Sequence, residues 1–263
     1  MKQISFLALL LLLIGCSTVP ITGRKQLSLI PQGQLLTLSD QSYQETLSKA
    51  TLSTDAAKTA QVREVGQKIA SAAEAFMKDS GMEKDIASYK WEFNLVQDDQ
   101  TVNAFCMPGG KIVVYTGILP VTQDENGLAT VMSHEVAHAL ANHGGERMSQ
   151  QLLVQAGGMG LEQLVKSKPA LAQKILMEAY GAGSQVGVLL PYSRSHETEA
   201  DHIGLILMAR AGYDPRSAVA FWERMNNLSS AKVPELLSTH PATSRRISDI
   251  NKEIPEAEKY YKT

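Results

Sequence analysis

The stretch Thr130-Val131-Met132-Ser133-His134-Glu135-Val136-Ala137-His138-Ala139-Leu140 constrains this chain more than any other. On an α-helix, residues four apart lie about 40° apart in projection, so His134 and His138 send two imidazoles the same way, one turn above the other. That spacing suits two ligands of one tetrahedral ion. Glu135 falls beside the same face, where it can reach a water near the ion without being a ligand.

The surroundings read as helix. Leu128, Val131, Met132, Val136, Ala139 and Leu140 supply apolar residues at helical spacing. Thr122-x-x-Glu125 has the form of a capping box at the start, and Gly144-Gly145 is the expected stop.

The 263 residues are 44% hydrophobic with a formal net charge of −2, enough for one sizeable core. No Lys/Arg cluster of five or more appears, so a nucleic-acid surface has no electrostatic support. At the amino terminus Lys2 precedes the apolar run Ile4 to Ile14, too short to span a bilayer and laid out like a secretory signal. Leu13-Ile14-Gly15-Cys16 resembles a bacterial lipoprotein cleavage box, which predicts a lipid on Cys16. Ser17, in place of aspartate, implies sorting to the outer membrane of a Gram-negative cell. No later segment approaches the ~20 apolar residues of a membrane helix. With Cys16 so used, Cys106 has no disulfide partner.

The expected organisation is a signal peptide at 1–15, a lipidated linker at 16–33 with no core of its own, and one catalytic domain at 34–263. Helical patterns run from Gln34 to Lys49 and from Asp55 to Lys78. Tyr89, Trp91, Phe93 and Leu95 then alternate with polar residues as in a half-buried strand. Val102 to Phe105 and Lys111 to Tyr115 flank Pro108-Gly109-Gly110 and predict a hairpin. Further helices are expected near Arg147 to Lys166, Pro169 to Tyr180, Ser195 to Ala211, Pro215 to Asn226 and Pro241 to Ile254, with a break at Gly181 to Gly187. The fold class is α+β, mostly helical, with a small antiparallel sheet before the histidine helix.

A catalytic zinc takes three protein ligands and keeps a fourth corner for water. The best source for the third is Arg194-Ser195-His196-Glu197-Thr198-Glu199-Ala200-Asp201-His202. Glu197 and Asp201 are four apart and share a helical face. Glu197 is the candidate ligand, and Asp201 the candidate acceptor for the outer N–H of a ligating histidine, His134 by preference. Taken alone, the pair reads as well as the acidic start of a solvated helix.

The His-Glu-x-x-His helix, the later Glu197-x-x-x-Asp201, Asn103-Ala104-Phe105 with Pro108-Gly109-Gly110, and His240-Pro241 together resemble the gluzincin metallopeptidases of family M48, over about Gln34 to Ile254. The resemblance implies a zincin-like domain and a zinc endopeptidase with one Zn2+ on His134, His138 and Glu197, and Glu135 as catalytic base. Within the family the chain looks most like the LoiP-like periplasmic lipoproteins. That implies protein substrates, misfolded or misassembled envelope proteins, in periplasmic or outer-membrane quality control. The competing reading is a zinc-stabilised lipoprotein chaperone or assembly factor without turnover.

Other residues carry weaker expectations. His143 stands five past His138 and reads as a helix-end residue; His196 and His202 point away from the Glu197/Asp201 face. His240 sits before the proline that opens the last helix, and the resemblance gives it a regulatory or transition-state role at the open corner. Arg246 is expected in a surface ion pair, and Cys106 as a small buried hydrophobe. Asn103, Ala104 and Phe105 are the candidate edge to which an extended substrate adds as a strand.

Overall fold

The computed structural model describes residues 16–19, 22–156, 168–180, 194–228 and 234–262. The expected signal at 1–15 and the break at Gly181 to Gly187 lie outside them. Strands β1 (Cys16–Thr18) and β2 (Lys25–Leu27) pair antiparallel. The stretch expected to be a linker is therefore structured, and Val19 within it is fully buried in the main core. Helices α1 (Gln32–Lys49) and α2 (Ala56–Asp79) follow, Asp55 capping the second by accepting from Lys58 N.

Three strands form the central sheet: β3 (Glu92–Val96), β4 (Ala104–Met107) and β5 (Lys111–Tyr115). The order is β3-β5-β4, with β4 antiparallel to β5 as the hairpin predicts and β3 parallel to it. The sheet is thus mixed, because the chain crosses over after β3 before returning as a hairpin. At the tip Gly109 and Gly110 take φ of +81° and +80°, a region that disfavours side chains.

Both faces of the sheet are covered, so its central strand β5 and the edge strand β4 carry apolar residues on both sides. Ala104, Cys106, Ile112 and Val114 join the larger core with α2 and the helices that follow; Phe105, Met107 and Val113 turn to a second core beneath α1. Cys106 is accordingly an inert core thiol, its pKa raised well above the ordinary value by burial.

The remaining elements are α3 (Leu119–Thr122), α4 (Glu125–Leu140), α5 (His143–Ala156), α6 (Pro169–Ala179), α7 (Arg194–Arg210), α8 (Ser217–Leu228), α9 (Glu235–Thr239) and α10 (Ser244–Ala257). Helix α4 carries the histidine pair and is buried from Gly127 to Leu140. Its cap is Asp124, which accepts from Gly127 N at 2.9 Å, so the expected Thr122 capping box is displaced by two residues. Nor do the glycines end it. The chain turns at Asn142, with φ of +55°, and Gly144-Gly145 lie inside α5. An asparagine tolerates the left-handed conformation, so the stop needed no glycine.

Helix α7 packs along α4. The approach is close at Gly204, where an added Cβ would stand 3.2 Å from His134 Cα. A glycine here lets the carboxylate-bearing helix come within reach of the histidines. Among the described residues no helix is long and apolar enough to cross a membrane.

Candidate metal centre

His134, His138, Glu197 and His240 each point one donor atom into a common space, all within 4.8 Å of one another, and all four residues are buried. The Nε2 atoms of His134 and His138 stand 3.1 Å apart. His240 Nδ1 lies 3.2 Å from His134 Nε2 and 2.9 Å from Glu197 Oε1. Glu197 Oε1 is 3.4 Å from His138 Nε2, and its Oε2 is 3.6 Å from His134 Nε2.

Zinc bonds of 2.0–2.2 Å in tetrahedral array require donors about 3.3 Å apart, and the observed separations bracket that edge. Charge gives a second test. Glu135, Glu197 and Asp201 are buried carboxylates, and the guanidinium within their reach is that of Arg246. Three negative charges against one positive leave an excess of two, which a divalent cation neutralises. The donor set and the charge both fit one zinc ion.

The imidazole orientations are supported from behind. Asp201 Oδ1 lies 3.1 Å from His134 Nδ1, on the side of the ring away from the cluster. Arg246 is not a surface residue. It is 8% exposed, donates from Nε and Nη2 to Asp201 at 2.8 Å each, reaches Glu197 Oε2 at 2.7 Å, and stacks over Trp222 at 3.9 Å. The sequence signal was available in retrospect: in α10, with Thr243 as its cap, Arg246 falls near the buried-face register of Ile250 and Ile254.

Burial and charge pull the acids apart. Burial alone would raise Glu197, but Arg246 and the histidines hold it well below the carboxylate range. Glu135 goes the other way, raised by burial against the opposing pull of His240 and His134. Its Oε1 lies 3.7 Å from His240 Nε2 and has no hydrogen-bond partner among the described residues. A carboxylate set beside the cluster with an unengaged oxygen and a raised pKa has the attributes of a general base.

His143, expected at a helix end, opens α5, and both it and His196, expected to point away from the Glu197/Asp201 face, are buried. His143 Nδ1 is 2.9 Å from His138 Nδ1, because the Asn142 turn folds α5 back against the end of α4. Burial lowers its pKa to about 4 in spite of Glu199. His202 is the outlying histidine, paired with Glu253 at 2.8 Å near the surface.

Asn103, Ala104 and Phe105 are all buried, and β4 is an edge of the sheet. The start of α9 lies over its beginning, Leu236 N donating to Val102 O at 3.2 Å.

The peptidase family M48 model matches residues 56–254. The chain belongs to peptidase family M48. It is 36% identical over 196 residues to the mitochondrial metalloendopeptidase OMA1 of Saccharomyces cerevisiae, covering 72% of this chain and 54% of that protein. Against human metalloendopeptidase OMA1 the identity is 32%, with 90% of this chain and 46% of the relative covered. The beta-barrel assembly-enhancing protease of Escherichia coli is 27% identical over 89% of this chain and 47% of its own length. The chain thus spans about half the length of these relatives.

Proposed function

We propose that this M48 member is a zinc-dependent endopeptidase that hydrolyses peptide bonds of misfolded or misassembled envelope proteins. The observation that carries the reading is the set of four buried donors within 4.8 Å of one another, with the unengaged oxygen of Glu135 beside it. His134, His138 and Glu197 are the proposed ligands. A zinc held there would polarise the scissile carbonyl and acidify water next to it. Glu135 takes a proton from that water and delivers it to the leaving amine; its raised pKa suits both transfers. Asp201, itself gripped by Arg246, holds His134 in the tautomer that offers Nε2.

His240 is proposed as a latch. With its Nδ1 as the fourth donor the cluster leaves no corner for water, so turnover requires the imidazole to withdraw. The segment from Pro234 to His240 also covers the start of β4, where Asn103, Ala104 and Phe105 are proposed to receive substrate as an added strand. Lifting one segment would open both.

The lipid on Cys16, the periplasmic face of the outer membrane and the LoiP-like role in quality control complete the proposal. They are supported by the signal-like amino terminus and by a relative named for β-barrel assembly. Other M48 relatives are named for mitochondria. A closed four-donor set is also the mark of a structural zinc, which favours the second reading, a zinc-stabilised chaperone or assembly lipoprotein. Casein cleavage by the purified full chain decides between them. Peptidase function predicts cleavage that a chelator abolishes and added zinc restores, whereas zinc-bound protein that never cleaves would leave the second reading.

A further inference from the structure

Behind His138, on the side away from the donor cluster, lies a second buried group that the proposed chemistry does not use: His143, His196, Glu146 and Glu199. Thr22 and Arg24, from the turn between β1 and β2, reach it from the amino-terminal hairpin. A histidine that offers Nε2 to a metal carries its proton on Nδ1 and donates it outward. For His138 the acceptor is His143 Nδ1. That assigns the proton of His143 to Nε2, from which it donates to Glu199 Oε2 at 2.7 Å. Glu199 also accepts from the Thr22 hydroxyl and from Arg24 Nε, the latter at 2.7 Å.

A second arm leaves the same guanidinium. Arg24 Nη1 donates to Glu146 Oε2 at 2.9 Å, and His196 Nε2 donates to that oxygen at 3.0 Å. The His196 ring stacks on His143 with centroids 4.4 Å apart and planes 15° from parallel. One arm fixes His143 in its plane, and the other holds its face. The side chains of Glu199 and Glu146 are 5% and 9% exposed, so bulk water is poorly placed to replace Arg24. Two carboxylates held by separate nitrogens of one rigid fork is a task for arginine rather than lysine.

We infer that Arg24 is a positioning residue for the metal centre, acting through Glu199 and the Glu146–His196 pair on His143, and through His143 on His138. The inference rests on the cluster being a zinc site and does not depend on turnover. The amino-terminal hairpin is then part of the site's scaffold, and a chain lacking it holds its metal less firmly.

The test measures zinc transfer from the purified full chain to a chromogenic chelator, for wild type, Arg24→Ala and Arg24→Lys, and again with each in a His143→Phe background. Arg24→Ala should loosen zinc about tenfold, the low end for a residue outside the ligands themselves, and Arg24→Lys should recover part of the loss. With His143 already replaced, Arg24→Ala should add less than about twofold, since the connection is cut. The cobalt-substituted Arg24→Ala protein should show an altered visible spectrum. Unchanged zinc retention with a lowered melting temperature of the metal-free chain, or equal losses in both backgrounds, would overturn the inference. If Arg24→Ala does not fold, Arg24→Gln, which keeps the stem and a donor, is read by the same criteria. Zinc bound normally by a wild-type chain that cleaves nothing would refute the peptidase proposal and leave this one standing.

Discussion

His240 and Arg246 show how much a single side chain decides here. If His240 is the latch, His240→Ala should raise casein cleavage roughly tenfold, the gain expected where the closed form is favoured by about 1.4 kcal/mol. A transition-state role would lower it instead. Arg246 compensates two buried carboxylates, so its removal leaves charge stranded in the interior. Arg246→Ala should destabilise the chain by about 3–5 kcal/mol in denaturant titrations, far more than loss of a surface pair. The pairing of His134 and His138 was legible because helical geometry acts over four residues. For Arg246 the register of α10 gives the burial but not the partners, since Glu197 and Asp201 lie 45 or more residues away.

At the scale of elements, the positions of α4, α7 and the β4–β5 hairpin followed from periodicity and turn residues. What did not follow were the ends and partners. The stop of α4 at Asn142 and the parallel pairing of β3 depend on how distant segments meet. The short α9 escaped notice because five residues carry no period, yet it sets His240 in place. Its first residue, Glu235, is raised to about 7 by burial and by the charge of Asp98, against a hydrogen bond from Asn103. An acid whose folded pKa exceeds its unfolded value favours folding when protonated, so this contribution fades as pH rises from about 4.5 through 7. Glu235→Gln should therefore leave the melting temperature unchanged at pH 4 and raise it at pH 8; a larger gain at pH 4 would contradict the assignment.

For the whole molecule, the site joins segments from the amino-terminal hairpin to α10, and its three buried carboxylates outnumber the one guanidinium among them, an excess that a divalent ion offsets. Stability and metal are then linked. With free zinc a thousandfold above its dissociation constant, the ion should contribute about 4 kcal/mol. Chelation should accordingly lower the melting temperature of wild type and do little to a His134→Ala/His138→Ala chain. The hairpin's role was illegible in the sequence because its contacts run from Arg24 to Glu146 and Glu199, across more than a hundred residues of a stretch whose composition reads as linker.

Three side chains from two helices are proposed to hold one zinc, with Glu135 close by to move the proton. The most direct measurement is of zinc content and casein cleavage together in Glu135→Gln. One zinc per chain with cleavage lost is the predicted result; one zinc per chain with cleavage at the wild-type rate would contradict it.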